Sequence, residues 1–130
     1  MPMPAATSAQ RLAGLRVLIV EDELLLAMDY EEMLLREGAT VLGPVGRQSR
    51  ALALLQRERP DVAILDLNLA GERSTAVAEA LAAQGVPFVI VSGYGGGTLH
   101  EPALRDVPRL DKPLRAQELV RLVGSIARPT

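Results

Sequence analysis

Five polar side chains stand directly after short apolar segments of this sequence, where they could act together. Three are the acids Glu21, Asp22 and Asp66. A hydroxyl group on Ser92 and an ammonium group on Lys112 follow later segments. If the apolar segments are parallel strands, their carboxyl ends meet at one edge of a sheet, and ligands bind at that edge. We therefore expect three carboxylates, one hydroxyl and one ammonium group to converge.

This combination of groups favours phosphoryl chemistry around a hard metal ion. Clustered carboxylates raise one another's pKa unless a cation lies among them. Every available side-chain ligand is an oxygen atom, which favours Mg²⁺ and disfavours zinc. Asp66 closes the central strand and is the candidate nucleophile, because a carboxylate beside such an ion can form an acyl phosphate. Lys112 would neutralise the phosphoryl charge, and Ser92 would donate a hydrogen bond to a phosphate oxygen.

The elements that must position these residues alternate along the chain. Apolar, β-rich segments predict five strands, at residues 17–20, 40–45, 62–65, 88–91 and about 107–110. Apolar residues at helical spacing predict helices that end before Gly38, Pro60, Gly85 and Arg128. Strict alternation implies an α/β fold with a parallel sheet, helices on both faces and right-handed crossovers.

Two segments depart from this pattern. The glycines at 93 and 95–97 each cost about 1 kcal/mol in a helix, so the fourth helix should be short or mobile. Residues 1–14 carry prolines and small polar residues, which predict a flexible N-terminal tail. We expect one domain over residues 15–127, with a short C-terminal end at residues 128–130.

The composition indicates a globular chain and excludes several classes of protein. Hydrophobic residues make up 48% of the 130 residues and charged residues 23%, enough to bury a core. A net charge of -2, with both signs scattered, argues against direct DNA binding. The absence of Cys excludes disulfides and thiolate metal sites. Neither a signal peptide nor a membrane span is apparent, so we expect no membrane contact and a cytoplasmic location.

The residues that carry chemistry, in this order and on this strand pattern, resemble the receiver domain of two-component response regulators. They are Glu21-Asp22, Asp66, Ser92 and Lys112-Pro113. The resemblance covers about residues 15–127 and implies a flavodoxin-like (βα)5 three-layer sandwich with sheet order 2-1-3-4-5. In this family the peptide bond between the last two of these residues is cis, and X-Pro bonds adopt that form at small cost.

The resemblance also implies roles for individual residues. Asp66 is then the phosphoacceptor, and Asp22 and Asp66 bind Mg²⁺ directly. Glu21 acts largely through a bound water, and the backbone carbonyl of Asn68 completes the protein ligands. Lys112 pairs with the phosphoryl group.

Residues 87–95 are similar to a receiver subset known for a Phe-Ala-Thr-Gly-Tyr signature, of which only part is present. Three features differ from the common receiver pattern. Ser92 replaces the commoner Thr, Arg109 stands where most receivers carry a switching Tyr or Phe, and the glycines after Ser92 weaken the fourth helix. Because Arg109 has no aromatic ring to bury, we hypothesise that phosphorylation instead orders residues 93 to about 104, with Tyr94 as the anchor.

These observations favour a single-domain signalling switch and not an enzyme with turnover on other molecules. A sensor histidine kinase would phosphorylate Asp66, and the output would be binding of an unidentified protein or drainage of phosphoryl groups. We expect a monomer or weak dimer. One alternative is a small phosphatase of haloacid-dehalogenase type, but its acid two residues after the nucleophile is here Asn68, whose amide cannot supply a proton. Another is an adaptor that keeps the fold without phosphorylation.

Overall fold

A computed structural model describes residues 11–93 and 102–128 of the chain. The strands within them are β1 (Arg16–Val20), β2 (Thr40–Val45), β3 (Val62–Asp66), β4 (Asn68–Leu69), β5 (Glu72–Arg73), β6 (Phe88–Ser92) and β7 (Arg109–Asp111). The helices within them are α1 (Leu24–Arg36), α2 (Gln48–Arg57), α3 (Thr75–Ala83) and α4 (Ala116–Ala127), with a 3-10 turn at Pro102–Leu104. No helix in this part of the chain has the length and apolarity needed to cross a membrane.

Five strands form one parallel sheet in the order β2-β1-β3-β6-β7. Counted as the five long strands of the chain, this is the order 2-1-3-4-5, so the expected flavodoxin-like fold is confirmed. Every residue of β3 and β6 is buried, and in β1 only Arg16 is partly exposed. Strands covered on both faces need apolar residues throughout, which is why they read as continuous apolar segments in the sequence.

Successive residues of the central strands enter two cores on opposite faces of the sheet. Leu18 and Leu65 point into the core that contains the buried faces of α2 and α3. Ile19 and Ile64 point into the other core, which contains the buried faces of α1 and α4. Each core lies between the sheet and one pair of helices, which gives a three-layer sandwich.

The strand register brings the polar residues to one edge. Val20 pairs with Leu65, so the residues that follow β1 lie beside the end of β3. Asp66 pairs with Val91, one residue before Ser92. Ser92 in turn pairs with Asp111, one residue before Lys112.

The packed chain begins earlier than the sequence predicts. Residues 11–14, assigned above to the flexible tail, form a turn against the domain. Leu12 is buried, and its backbone N donates to the Glu37 carbonyl at 2.8 Å. A Cβ on Gly124 would lie 3.3 Å from Leu12 Cδ2, so this glycine leaves room for the leucine. Leu12 is a single apolar residue in a polar stretch, so no periodic pattern marks it as a core residue. Residues 1–10 lie outside the described residues. The other domain limits stay a prediction.

The connection between β6 and β7 is described from residue 102. Its 3-10 turn at Pro102–Leu104 buries Leu104 against the core that contains α2 and α3, and the short or mobile fourth helix stays a prediction. The last strand begins at Arg109 and not at 107 as predicted. Pro108 has no N–H to donate, and its carbonyl accepts from Ile90 N at 2.9 Å, so regular pairing starts one residue later. The glycines at 95–97 lie outside the described residues.

Candidate functional site: an acidic pocket with a lysine

The ammonium group of Lys112 lies among three carboxylates at the edge formed by the strand ends. Its Nζ is 3.2 Å from Asp66 Oδ2, 3.3 Å from Glu21 Oε1 and 3.7 Å from Glu23 Oε1. Asp66 is 5% exposed and Glu21 is 3% exposed, whereas the Lys112 side chain is 17% exposed. The positive charge therefore reaches two buried acids from the rim of the pocket.

Three of the predicted acids also approach one another closely enough to share one cation. One carboxylate oxygen from each of Glu21, Asp22 and Asp66 lies within 4.8 Å of the others. Glu21 Oε1 is buried, and the cation that contacts it is Lys112, at 3.3 Å. The three carboxylates form an all-oxygen set, and such a set fits a hard divalent cation.

The two adjacent acids are held by the backbone around them. Glu21 N donates to the Val45 carbonyl at 2.9 Å, and Glu21 Oε2 accepts from Glu23 N at 3.0 Å. The turn between β2 and α2 runs close beneath them, because a Cβ on Gly46 would lie 3.3 Å from the Asp22 Cα. The position of these acids thus depends on β2 as well as on their own strand.

Burial changes the protonation of Glu21. Loss of hydration, followed by the neighbouring charge of Asp66, raises the pKa of its carboxyl group to about 7. The hydrogen bond from Glu23 N and the charge of Lys112 act in the opposite direction but do not compensate. Near neutral pH, Glu21 of the metal-free protein is therefore close to half-protonated.

The same pocket changes the pKa of Lys112, whose charge is opposite to that of the acids. Burial lowers the pKa of its ammonium group, but the charges and hydrogen bonds of Asp66 and Glu21 outweigh burial and hold that pKa above its ordinary value. Lys112 is thus a permanent cation in this site and not a proton donor at neutral pH.

A small hairpin that the sequence analysis did not anticipate follows Asp66. Strands β4 and β5 pair antiparallel around Ala70 and Gly71, which both have positive φ, 51° and 85°. Ala70 N donates to Asp22 Oδ2 at 3.0 Å. Buried Ser74 closes the loop: its hydroxyl lies 2.6 Å from the Asp66 carbonyl and 3.0 Å from the Leu67 carbonyl. The two-residue loop ending in glycine was the only sequence signal for this hairpin.

Ser92 lies at the end of β6 beside two charged residues of β7. It is 1% exposed, its Oγ donates to Asp111 Oδ1 at 3.4 Å, and Arg109 Nε donates to Ser92 Oγ at 3.2 Å. Ser92 and Arg109 are predicted from the sequence, whereas Asp111 is not. The alternation of side chains along a strand puts Arg109 and Asp111 on one side and was the available signal.

A buried phenol under the pocket is a second residue that the sequence analysis missed. Tyr30 of α1 is 2% exposed, and its hydroxyl faces the charges of Glu21 and Asp66. Burial and then the charges of Glu21 and Asp66 raise the pKa of this hydroxyl well above its usual range. Helical spacing identified Tyr30 only as a core residue, because that spacing carries no information on what its hydroxyl faces.

The remaining predicted residues have different outcomes. Asn68 N donates to Asp66 Oδ1 at 3.3 Å, while the role of its carbonyl as a metal ligand stays a prediction. The Lys112–Pro113 peptide bond is cis, the geometry implied by the resemblance, and Gly43–Pro44 is also cis. Tyr94 lies outside the described residues, so its role as an anchor stays a prediction.

Comparison with known proteins agrees with this arrangement. A family model described as the response regulator receiver domain matches residues 17–123. The transcriptional regulatory protein PdtaR of Mycobacterium tuberculosis is 32% identical over 118 residues, which are 88% of this chain and 57% of PdtaR. The chain thus spans little more than half the length of this curated relative.

Solved structures show the same likeness. SdrG from Sphingomonas melonis Fr1 is 39% identical with a TM-score of 0.76, covering 91% of this chain and 98% of SdrG. PhyR from Brucella abortus is 26% identical with a TM-score of 0.76, covering 95% of this chain and 52% of PhyR. The receiver domain of sensor histidine kinase PA1611 from Pseudomonas aeruginosa PAO1, described with magnesium in its active site cleft, is 24% identical with a TM-score of 0.76 over 88% of this chain and 98% of its own.

The family match covers most of the chain and includes the acidic strand ends and the lysine described above. The sheet order and the cluster of three acids at the strand ends also agree with a receiver domain. The chain belongs to the response regulator receiver domains.

Proposed function

We propose that this chain is a signalling switch that accepts a phosphoryl group on Asp66 from a sensor histidine kinase in a Mg²⁺-dependent reaction. One observation carries the proposal: Lys112 Nζ lies 3.2 Å from Asp66 Oδ2, in a pocket that also contains Glu21 and Asp22. One carboxylate oxygen from each of these three acids lies within 4.8 Å of the others. Receiver domains in general are phosphoacceptor switches that work with histidine kinases or phosphotransfer partners and bind Mg²⁺ in their acidic pocket.

The residues around the pocket have separate tasks in this reaction. Asp22, Asp66 and the backbone carbonyl of Asn68 would hold Mg²⁺, with Glu21 acting through water, and the ion would supply positive charge to phosphate oxygens. A carboxylate oxygen of Asp66 attacks phosphorus while the bond from phosphorus to the donor breaks, and its electron pair leaves with the donor. Lys112 then balances the charge of the phosphoryl group.

The first experiment is incubation of the chain with acetyl phosphate and Mg²⁺, followed by intact mass measurement. We expect one added phosphoryl group on the wild-type chain, none on Asp66→Asn and none when EDTA removes the metal. The amide of Asn cannot act as the carboxylate nucleophile, and the Asn side chain has nearly the same volume. Modification of Asp66→Asn to the wild-type level would move the phosphoacceptor to another residue and contradict the proposal.

A turnover assay with a phosphomonoester and a measurement of Mg²⁺ binding separate the two alternatives. A phosphatase of haloacid-dehalogenase type would release phosphate from a phosphomonoester over many turnovers, which Asn68 makes unfavourable because its amide cannot act as an acid. An adaptor that does not use the pocket would take up no phosphoryl group and bind no Mg²⁺. Output by protein binding and output as a phosphate sink are both compatible with phosphorylation of Asp66.

An apolar patch on α1 supports docking of the phosphodonor beside the pocket. Leu24, Leu25 and Met28 are exposed, and they follow directly after the acids Glu21 to Glu23. Leu35 is also exposed but lies about 15 Å from Leu25 along the helix. Leu24 and Leu25 are the first two residues of α1 and directly follow the acidic segment that contributes Glu21 to the pocket. Exposed apolar side chains in a cluster are typical of protein contacts.

Leu25→Asp is expected to slow phosphotransfer from a phosphorylated sensor histidine kinase by about tenfold, the effect of roughly 1.4 kcal/mol lost from an apolar contact. Because acetyl phosphate needs no docking surface, its reaction rate should change less than twofold. Leu35→Asp is the matched control and should have the smaller effect on transfer. Transfer rates measured by intact mass check this, and equal slowing with acetyl phosphate would show damage to the pocket instead of to docking.

A further inference from the structure

The hydroxyl group of Ser92 is fully engaged by residues of β7. Arg109 Nε donates to it at 3.2 Å, and it donates to Asp111 Oδ1 at 3.4 Å. Arg109 Nε also lies 3.7 Å from Asp111 Oδ1, so the three groups form a closed triangle. The strand register supports this contact, since Ser92 pairs directly with Asp111 and Arg109 is two residues earlier on the same side of β7.

This triangle conflicts with the task proposed for Ser92. A serine hydroxyl has one proton and can donate one good hydrogen bond at a time. While Ser92 donates to Asp111, it cannot also donate to a phosphoryl oxygen on Asp66. Two anionic acceptors, the Asp111 carboxylate and the phosphoryl group, therefore compete for the same proton, which stays on Ser92 throughout.

We propose that Asp111, oriented by Arg109, is a latch that holds the Ser92 hydroxyl until a phosphoryl group on Asp66 displaces it. This inference rests on the proposed function. Asp111 is a positioning residue, since it acts through Ser92 and not on phosphorus.

The geometry suits a latch that opens. The side chain of Asp111 is 75% exposed, so water can hydrate its carboxylate once Ser92 leaves. Its bond with Ser92, at 3.4 Å, is longer than the 2.5–3.0 Å typical of O–H···O bonds. A hydrogen bond of this length to an exposed acceptor is weak enough for a phosphoryl oxygen near Asp66 to replace it.

The test uses beryllofluoride with Mg²⁺, which mimics a phosphoryl group on a carboxylate, and measures its dissociation constant by ¹⁹F NMR. Asp111→Ala is expected to tighten binding by about threefold to tenfold, the scale of one hydrogen bond, because the competing acceptor is gone. Asp111 is exposed, so this variant should fold, and its thermal unfolding is compared with that of the wild type.

Removing a negative charge near the pocket would by itself favour an anion, so the same substitution is repeated in the Ser92→Ala chain. A double-mutant cycle isolates the part that passes through the hydroxyl. We expect less than a 1.5-fold effect of Asp111→Ala there. An equal gain in both backgrounds, or no gain in the wild-type background, would overturn the latch.

Failure of the latch is distinguishable from failure of the proposed function. If the wild type binds beryllofluoride but Asp111→Ala does not tighten it through Ser92, only the latch is wrong. If the wild type binds none in the presence of Mg²⁺, the proposed function fails and the latch falls with it.

Discussion

Replacing Glu21 by Gln is expected to raise the free energy of unfolding of the metal-free protein at pH 8 by about 2–3 kcal/mol. Burial raises the pKa of Glu21 to about 7, whereas an unfolded chain leaves it near 4.3. A shift of this size corresponds to roughly 3.5–4 kcal/mol when the buried carboxyl ionises, and we expect about 2–3 kcal/mol of it because water can enter the rim of the pocket. Gln cannot ionise and avoids this cost.

The sign of the pH dependence follows from proton binding. Between about pH 4.3 and pH 7 the folded chain binds more protons at Glu21 than the unfolded chain does, so the contribution of Glu21 to stability falls as pH rises through this window. Above it, that contribution is constant. The difference between wild type and Glu21→Gln should therefore open across this window, which urea denaturation at several pH values would measure.

Two controls accompany the Glu21→Gln prediction. Glu79→Gln removes an exposed acid of α3 and should change stability by less than about 0.5 kcal/mol at any of these pH values. Mg²⁺ should stabilise the wild type more than Glu21→Gln at pH 8, because the ion favours the charged carboxylate. A wild-type chain that is no less stable at pH 8 than Glu21→Gln would contradict the burial cost described above.

Replacing Lys112 by Met is expected to lower the free energy of unfolding of the metal-free protein at pH 8 by about 2–3 kcal/mol. Removing one partner of a buried ion pair typically costs about 3–5 kcal/mol, because the other charge stays buried without compensation. The Lys112 side chain is 17% exposed and water can enter the rim, which reduces the cost. Asp66 and Glu21 are the acids left without their cation.

The loss caused by Lys112→Met should depend on pH and on metal. Near pH 5 Glu21 holds a proton, so one of the two buried negative charges disappears and the loss should shrink by roughly half. Mg²⁺ should restore stability at pH 8 by supplying another cation. Arg121→Met, on the exposed face of α4, is the matched control and should be neutral. A pH-independent loss would indicate missing packing by the lysine stem and not missing charge.

The positions of the pocket residues were predictable from the sequence for a simple reason. Apolar segments with little polar alternation predict strands buried on both faces, and strands that alternate with helices run parallel. Once the strands are parallel, the residue after each of them must lie at the same edge. Glu21, Asp66 and Lys112 lie at one edge of the sheet because of chain order and strand direction.

Other parts of the fold required contacts between residues far apart in the chain. Leu12 is buried because a gap beside Gly124 accepts it, although nothing near Leu12 in the sequence indicates a core position. The hairpin after Asp66 is closed by the hydroxyl of Ser74, eight residues later. Tyr30 was predictable as buried but not as a hydroxyl beside the acids.

The order of elements, the edge of the sheet at which polar residues collect and the types of side chain present there follow from the amino-acid sequence. These properties follow from local patterns, namely the period of apolar residues and the residues that end each strand. The bridge from Lys112 to Asp66 and Glu21, and the contacts of Ser92 with Arg109 and Asp111, were found from the folded chain and not from the sequence. Such contacts depend on the side-chain conformations of residues on neighbouring strands. A pattern of residue types along the chain does not specify those conformations.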